Sequence, residues 1–206
     1  MNRVLISMAA LAMAAAFSTA AVSTFGTDDE GWTITGDAQG GGATPTWESS
    51  GGNPGGYISA TDDVQGGTWY FNAPAAFHGD FSSAYGTSLT FDLRQSSTSS
   101  QFNNVDVYLR GGGLDLTFDT ASNPGTDWTG YSLLLTESGG WQLSGSAPTQ
   151  AEFQQVLGDV TDLQIRGEYV SGSDVGDLDN VVFLPEPATM VLLGIGGLAM
   201  LRRSRR

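Results

Sequence analysis

Between about residues 22 and 184 apolar side chains recur at every second position, in short runs closed by Gly, Asn, Asp or Ser. A period of two puts neighbouring side chains on opposite faces of an extended strand. Each run can therefore bury only one face, and a series of them needs a second layer to cover it. The alternation is plain in Leu89, Phe91 and Leu93, in Val105, Val107 and Leu109, and in Leu114, Leu116 and Phe118; between the last two, Gly111-Gly112-Gly113 supplies a hairpin turn. Runs at 131–136, 163–169 and 178–183 have the same character. Ala73-Pro74 ends an aromatic strand, because proline donates no ladder bond and biases its predecessor away from helix. Trp69, Phe71, Phe77 and Tyr85 read as core and turn-packing residues, with Gly79 and Gly86 at turns, and the Gly-, Ser- and Pro-rich segment 36–56 reads as a long loop. One interruption stands out. Thr149 and Glu152 have capping-box spacing, and Phe153, Val156, Leu157 and Val160 follow at helical intervals, which predicts a short amphipathic helix from 150 to 157 or 158. The fold expected is all-β, a jelly-roll-like antiparallel β-sandwich with one short amphipathic helix, forming a single domain over residues 22–184.

Twenty-one acidic residues against three arginines (Arg94, Arg110 and Arg166) give this domain a net charge of −18, and the chain has no lysine. Such a surface repels nucleic acid and anionic lipid and suits divalent cations. Cysteine is absent, so stability must come from the core, and a single histidine, His78, leaves zinc and haem without their usual ligand sets.

The ends differ in kind from the middle. Arg3 precedes an uncharged run at 4–17, and small residues at Ser18, Ala20 and Ala21 supply a cleavage site, so 1–21 reads as a secretory signal peptide for the Sec translocon and signal peptidase. At the other end Pro185-Glu186-Pro187 precedes an uncharged apolar stretch at 188–201 and then Arg202, Arg203, Arg205 and Arg206. Prolines stop regular structure, the apolar stretch seeks lipid, and the arginines hold the end on the cytoplasmic side. At about 1.5 Å per residue the stretch from Pro187 reaches only ~22 Å, short of a ~30 Å hydrocarbon core, which suits a transient inner-membrane anchor better than a permanent one. Residues 185–206 closely resemble the PEP-CTERM sorting signal of Gram-negative bacteria. The resemblance implies an exosortase as partner, removal of the anchor after export, and a destination at the cell surface or in the extracellular matrix.

A second resemblance spans nearly the whole domain. Trp69-Tyr70-Phe71-Asn72-Ala73-Pro74-Ala75-Ala76-Phe77-His78-Gly79-Asp80 is followed by Ala84-Tyr85-Gly86 and the strand at 89–93. Next come Val107 to Gly111 with Gly113-Leu114, Glu137 and Trp141, 149–157, Leu163 to Tyr169 and finally Leu178-Asp179-Asn180-Val181. In this order the blocks resemble the laminin B, or laminin IV, domain. The resemblance implies a non-catalytic β-sandwich module of extracellular matrix proteins; Asn180 stands where a second acidic residue is common in that family.

No catalytic residue is singled out. The chain has no G-x-S-x-G elbow, no H-E-x-x-H, no phosphate-binding G-x-x-x-x-G-K and no cysteine nucleophile, and paired carboxylates for glycoside hydrolysis or a lyase are the one route its abundant acids leave open. Trp32, Trp47, Trp128 and Trp141 sit beside glycines or polar loop residues and are the candidates for stacking a sugar ring, as against filling the core. A jelly roll places its first and last strands side by side. Asp28, Asp29 and Glu30 could then meet Asp177 and Asp179 around a structural Ca²⁺, or all five could be solvated acids. The readings left standing are a surface or matrix protein that binds exopolysaccharide, and a purely structural envelope component without a ligand.

Overall fold

In the computed structural model, which describes residues 20–36, 43–62 and 66–183, the alternating runs form strands in two antiparallel sheets. The strands are β1 (Ala21–Ser23), β2 (Thr33–Thr35), β3 (Thr46–Gly52), β4 (Gly55–Asp62), β5 (Tyr70–Asn72), β6 (Ser88–Gln95), β7 (Val107–Gly111), β8 (Leu114–Phe118), β9 (Thr129–Leu134), β10 (Gln142–Leu143), β11 (Val160–Arg166) and β12 (Asp174–Phe183), with the helix α1 at Gln150–Leu157. The first sheet runs β3-β4-β12-β6-β9 and the second β10-β8-β7-β11-β5-β2. The long β12 pairs with β6 on one edge; on the other, 174–178 meet β4 and 181–183 meet β1. The first and last strands thus lie side by side, as expected of a jelly roll.

Burial follows the two-residue period. In β6 the inward residues Leu89, Phe91 and Leu93 are at most 1% exposed while Thr90, Asp92 and Arg94 are half-exposed. Inward residues of both sheets, among them Ile34, Phe71, Leu109, Leu116, Leu163 and Leu178, join one apolar core. The 107–118 hairpin turns at Gly112-Gly113, where both glycines have positive φ. The predicted helix forms with its capping box complete, and Phe153, Val156 and Leu157 are its buried face. The segment 36–56 is not one long loop, because Thr46–Gly52 and Gly55 onward form a hairpin. Its glycines and serines hide the strand pattern because β3 is an edge strand with little to bury.

Candidate functional site

The outer face of the first sheet places two partly exposed aromatics around one cation. Tyr57 comes from β4, Arg94 from β6 and Asp177 from β12, while Trp128 precedes β9. Register places Asp177 opposite Arg94, and the Arg94 Nε and Nη2 donate to Asp177 Oδ2 at 2.9 and 2.8 Å. So anchored, the guanidinium lies 4.5 Å from the Trp128 ring centre and 5.0 Å from that of Tyr57, and the two rings meet edge to face at 5.5 Å. Trp128 Nε1 donates to the Gly51 carbonyl at 3.0 Å, which fixes the ring against the β3–β4 hairpin. Both rings remain half-exposed. This arrangement presents flat apolar surface beside donors and carboxylates, the combination that suits a polyol ring.

Next to it the hairpin tip folds over Asp179. The Asn53 N–H donates to Asp179 Oδ2 at 2.6 Å, the Asn180 N–H to Oδ1 at 2.7 Å, and the side-chain amides of Asn53 and Asn180 reach Asp92 Oδ2 at 3.2 and 2.9 Å. Asn180 also donates to the Asn53 carbonyl. A Cβ on Gly52 would stand 2.6 Å from Asp179 Oδ2, so only glycine lets the tip come this close. Burial raises the Asp179 carboxyl above its ordinary range, assisted by the charges of Asp92 and Glu30 and opposed by the two N–H donors.

The acids expected to meet at the domain's two ends are only partly brought together. Glu30 comes near enough to Asp179 to act on its charge, but Glu30 Oε1 accepts from the Thr24 and Phe25 N–H groups at 3.2 and 2.7 Å. Asp28 and Asp29 close a local turn, accepting from the Glu30 and Gly31 N–H at 2.9 and 2.8 Å, and Asp177 belongs to Arg94. Among the described residues no group of three or more His, Cys, Asp or Glu is placed to hold a metal ion.

Two of the four tryptophans are corrected. Trp32 and Trp141, at 0% and 1% exposure, are core residues and cannot stack a sugar. Trp32 Nε1 donates to Ser23 Oγ and Trp141 Nε1 to the Leu134 carbonyl, each at 2.9 Å, and both rings pack on phenylalanines. A glycine beside a tryptophan here marks a turn that folds chain over the ring. Trp47 is half-buried, with Nε1 donating to the Phe25 carbonyl at 2.7 Å and its ring against the core, which leaves Trp128 the one of the four that is not packed on the core. Tyr57 and Arg94 were not singled out by sequence. Tyr57 follows directly on the segment read as loop, but Arg94, one of only three domain arginines and on the outward phase of a clear strand, could have been found. Pro185, Glu186, Pro187, Arg202 and Arg203 lie outside the described residues.

Burial pushes a second carboxyl, Asp174, up to about 6, with Asp62 opposite it adding to the rise and the Val170 and Tyr169 N–H groups opposing it. Asp174 and Asp179 point to opposite sides of β12, five residues or ~17 Å apart along the strand. They do not form the ~5–10 Å carboxylate pair that glycoside hydrolysis uses.

The comparisons with known proteins agree with this architecture. The family model for laminin B (domain IV) matches residues 70–184 and that for the PEP-CTERM protein-sorting motif matches residues 184–206. Laminin subunit gamma-1 of Xenopus tropicalis is 30% identical over 166 residues, 78% of this chain and 10% of that protein, and the Homo sapiens subunit is 33% identical over 116 residues, 54% of this chain and 7% of that protein. The chain thus spans about a tenth of the length of these relatives. Among solved structures, the L4b domain of human laminin alpha-2 superposes with a TM-score of 0.64 at 17% identity, covering 81% of this chain and 98% of that one, a likeness of fold. With more than half of its length matched, the chain belongs to the laminin B (domain IV) family, and the sorting motif marks it as an exported, exosortase-processed surface protein.

Proposed function

We propose that this laminin B family chain is a non-catalytic matrix module that, once released from its transient inner-membrane anchor, holds neutral polysaccharide on the outer face of its first sheet. The observation that carries the reading is the half-exposed Tyr57–Trp128 pair braced by Arg94 and Asp177. Two features favour a neutral ligand. The one cation of the site is already paired, and a domain carrying −18 repels acidic polymers. Ring stacking of this kind supplies about 0.5–1.5 kcal/mol per contact, enough for weak binding that repeats along a polymer.

The test is affinity electrophoresis of the secreted, processed protein through gels cast with neutral or acidic polysaccharides. Retardation by a neutral polymer is expected, with Trp128→Ala weakening it up to about tenfold. If no neutral polymer retards the protein, or the variant is retarded equally, the reading fails and a purely structural component remains.

A further inference from the structure

The outer face of the second sheet carries a row that nothing above has used. Its register aligns one residue from every strand in sequence across the sheet: Thr33 opposite Asn72, Asn72 opposite Gln164, Gln164 opposite Tyr108, Tyr108 opposite Thr117 and Thr117 opposite Gln142. Gln142 is exposed and the other five are partly exposed, while the residues between them on the same strands, Ile34, Phe71, Leu163, Leu109 and Leu116, are buried in the core. In a domain where one residue in eight is acidic, the row holds no charge, only hydroxyls and carboxamides. With strands about 4.8 Å apart it is ~24 Å long. Its groups are lightly engaged, the Tyr108 side chain by that of Tyr70. The Asn72 amide donates weakly to Thr33 Oγ1 at 3.3 Å and Thr117 Oγ1 to the Gln142 carbonyl at 3.4 Å, while the Gln164 amide, at the centre, has no partner among the described residues.

The flanks of the row differ. On one side Arg110 stands opposite Asp162 and Asp115, pairs with both, and lies 4.4 Å over the Tyr108 ring, so that one cation offsets two carboxylates and a single negative charge remains. On the other side Arg166 and Asp106 are covered by residues 102–105. The carbonyls of Phe102 and Asn104 accept from Arg166 at 2.9 and 3.2 Å, and the Val105 carbonyl accepts from the Tyr70 hydroxyl at 2.9 Å, which raises a rim along the row. A track of hydroxyls and amides, one per strand, repeats at about the advance of one sugar ring in an extended chain. Such a row has little to offer an ion or an apolar peptide.

We propose that this row is a second polysaccharide track, running across the strands and taking about five sugar rings of an extended neutral chain. With the aromatic site on the opposite sheet, the domain then holds two chains on its two faces and cross-links the matrix. The ligand class and the cross-linking rest on the reading above; the location of the track does not. Each contact is a solvent-exposed hydrogen bond of modest net value, so affinity comes from the number engaged at once, and removing the central groups should weaken binding disproportionately.

The experiment uses the secreted, processed protein with the neutral polysaccharide that retards it, and reads both retardation and the viscosity of the polymer solution. Three variants are compared: Asn72→Ala/Gln164→Ala, Gln164→Lys as a blocking change that keeps the strand, and Trp128→Ala, each checked for an unaltered melting midpoint. Wild type should raise the viscosity. The row variants and Trp128→Ala should each keep partial retardation, weakened about three- to tenfold, and lose the viscosity rise. Row variants that thicken the solution like wild type overturn the track. Trp128→Ala abolishing all retardation leaves a single site and also overturns it. Trp128→Ala without effect, beside row variants that bind nothing, sinks the first-sheet site and the cross-linking while the track stands as the sole site. A wild-type dimer that Gln164→Lys turns into a monomer reassigns the row to contact between copies, and wild type unretarded by any neutral polymer removes both readings together.

Discussion

The two ends of the sandwich are built from different material. At the end where α1 packs on β7 and β8, the interior is aromatic: Phe81 stacks on Phe183 at 4.4 Å, Trp32 meets Phe77 at 5.4 Å, and Phe153 of the helix meets Trp141 at 5.9 Å. At the other end, where β4, β6 and β11 finish and β12 begins, Trp69 and Tyr169 share the interior with the buried polar side chains Arg166, Asp106, Asp62, Asp174, Glu168 and Gln95. Arg166 is fully enclosed. It lies 4.4 and 4.3 Å over the rings of Phe102 and Tyr169, donates to the carbonyls of Phe102, Asn104 and Glu168, and pairs with Asp106 at 3.4 Å. The aromatic end draws on surface removed from water, which declines in proportion when atoms are trimmed. The polar end draws on the partners that gather around Arg166, so removing that one group strands the others.

That contrast predicts its largest effect at Arg166. Arg166→Met keeps much of the volume but leaves three carbonyls and the Asp106 carboxylate uncompensated, at a cost of about 3–5 kcal/mol. For a domain of this size the melting midpoint should fall by roughly 10 °C or more. Phe153→Leu at the opposite end should cost only about 1–2 kcal/mol. Thermal melts of the two variants decide it, and equal losses would erase the distinction between the ends.

The next effect is smaller and of opposite sign. Asp174 is buried, its Oδ1 has no hydrogen-bond partner among the described residues, and Asp62 lies directly across the strand pair. Its carboxyl is pushed up from the usual 3.8 to about 6, chiefly by burial, so the folded protein holds a proton that the unfolded chain releases. Stability from this group is therefore complete below about pH 4 and lost as pH rises through 6. Asp174→Asn removes that loss and can donate toward Asp62, so it should stabilise by about 1–2 kcal/mol at pH 7 and by almost nothing at pH 4. Denaturant titrations at the two pH values check this, and a gain that does not change with pH would mean that charge burial is not its source.

Sequence exposes the two ends unequally. The aromatic end was legible because period and composition report burial directly: Phe77 and the Phe153 helix face are in the core as the pattern requires. Even Trp32 and Trp141 fit once their glycines are seen as turns that fold chain over a ring. The polar end was not legible. Arg166 occupies an outward phase of β11 and would face water but for residues 102–105 lying over it, a covering that no local pattern announces. The first-sheet site is hidden for a related reason. Tyr57, Arg94, Trp128 and Gly51 come from four separate segments, and only strand order brings them together. The neutral row on the second sheet emerges only when register is known, since its six members are unremarkable polar residues taken singly.

The smallest effect returns to the aromatic end and runs against pH in the other direction. Thr149 caps α1: its Oγ1 accepts from the Glu152 N–H at 3.3 Å, while Glu152 Oε2 accepts from the Thr149 N–H at 2.7 Å and its hydroxyl at 2.8 Å. These donors, the backbone one foremost, hold the Glu152 carboxyl below its ordinary range. A lowered carboxyl stabilises above its unfolded value and loses that contribution as pH falls through the folded one, the reverse of Asp174. Thr149→Ala should cost about 1 kcal/mol near neutrality, because it leaves an N–H of the first turn without its acceptor and loosens the seating of Phe153 against Trp141. In acid the protonated Glu152 no longer rewards the cap, so the penalty should shrink below pH 4 while that of the aspartate at the far end has already vanished. Melts of Thr149→Ala and Asp174→Asn across the same pH range should diverge at neutrality, one below wild type and one above; in acid Asp174→Asn should meet wild type while Thr149→Ala keeps only the part of its penalty that comes from the lost N–H acceptor. Parallel curves would show that the two ends do not respond to protons separately.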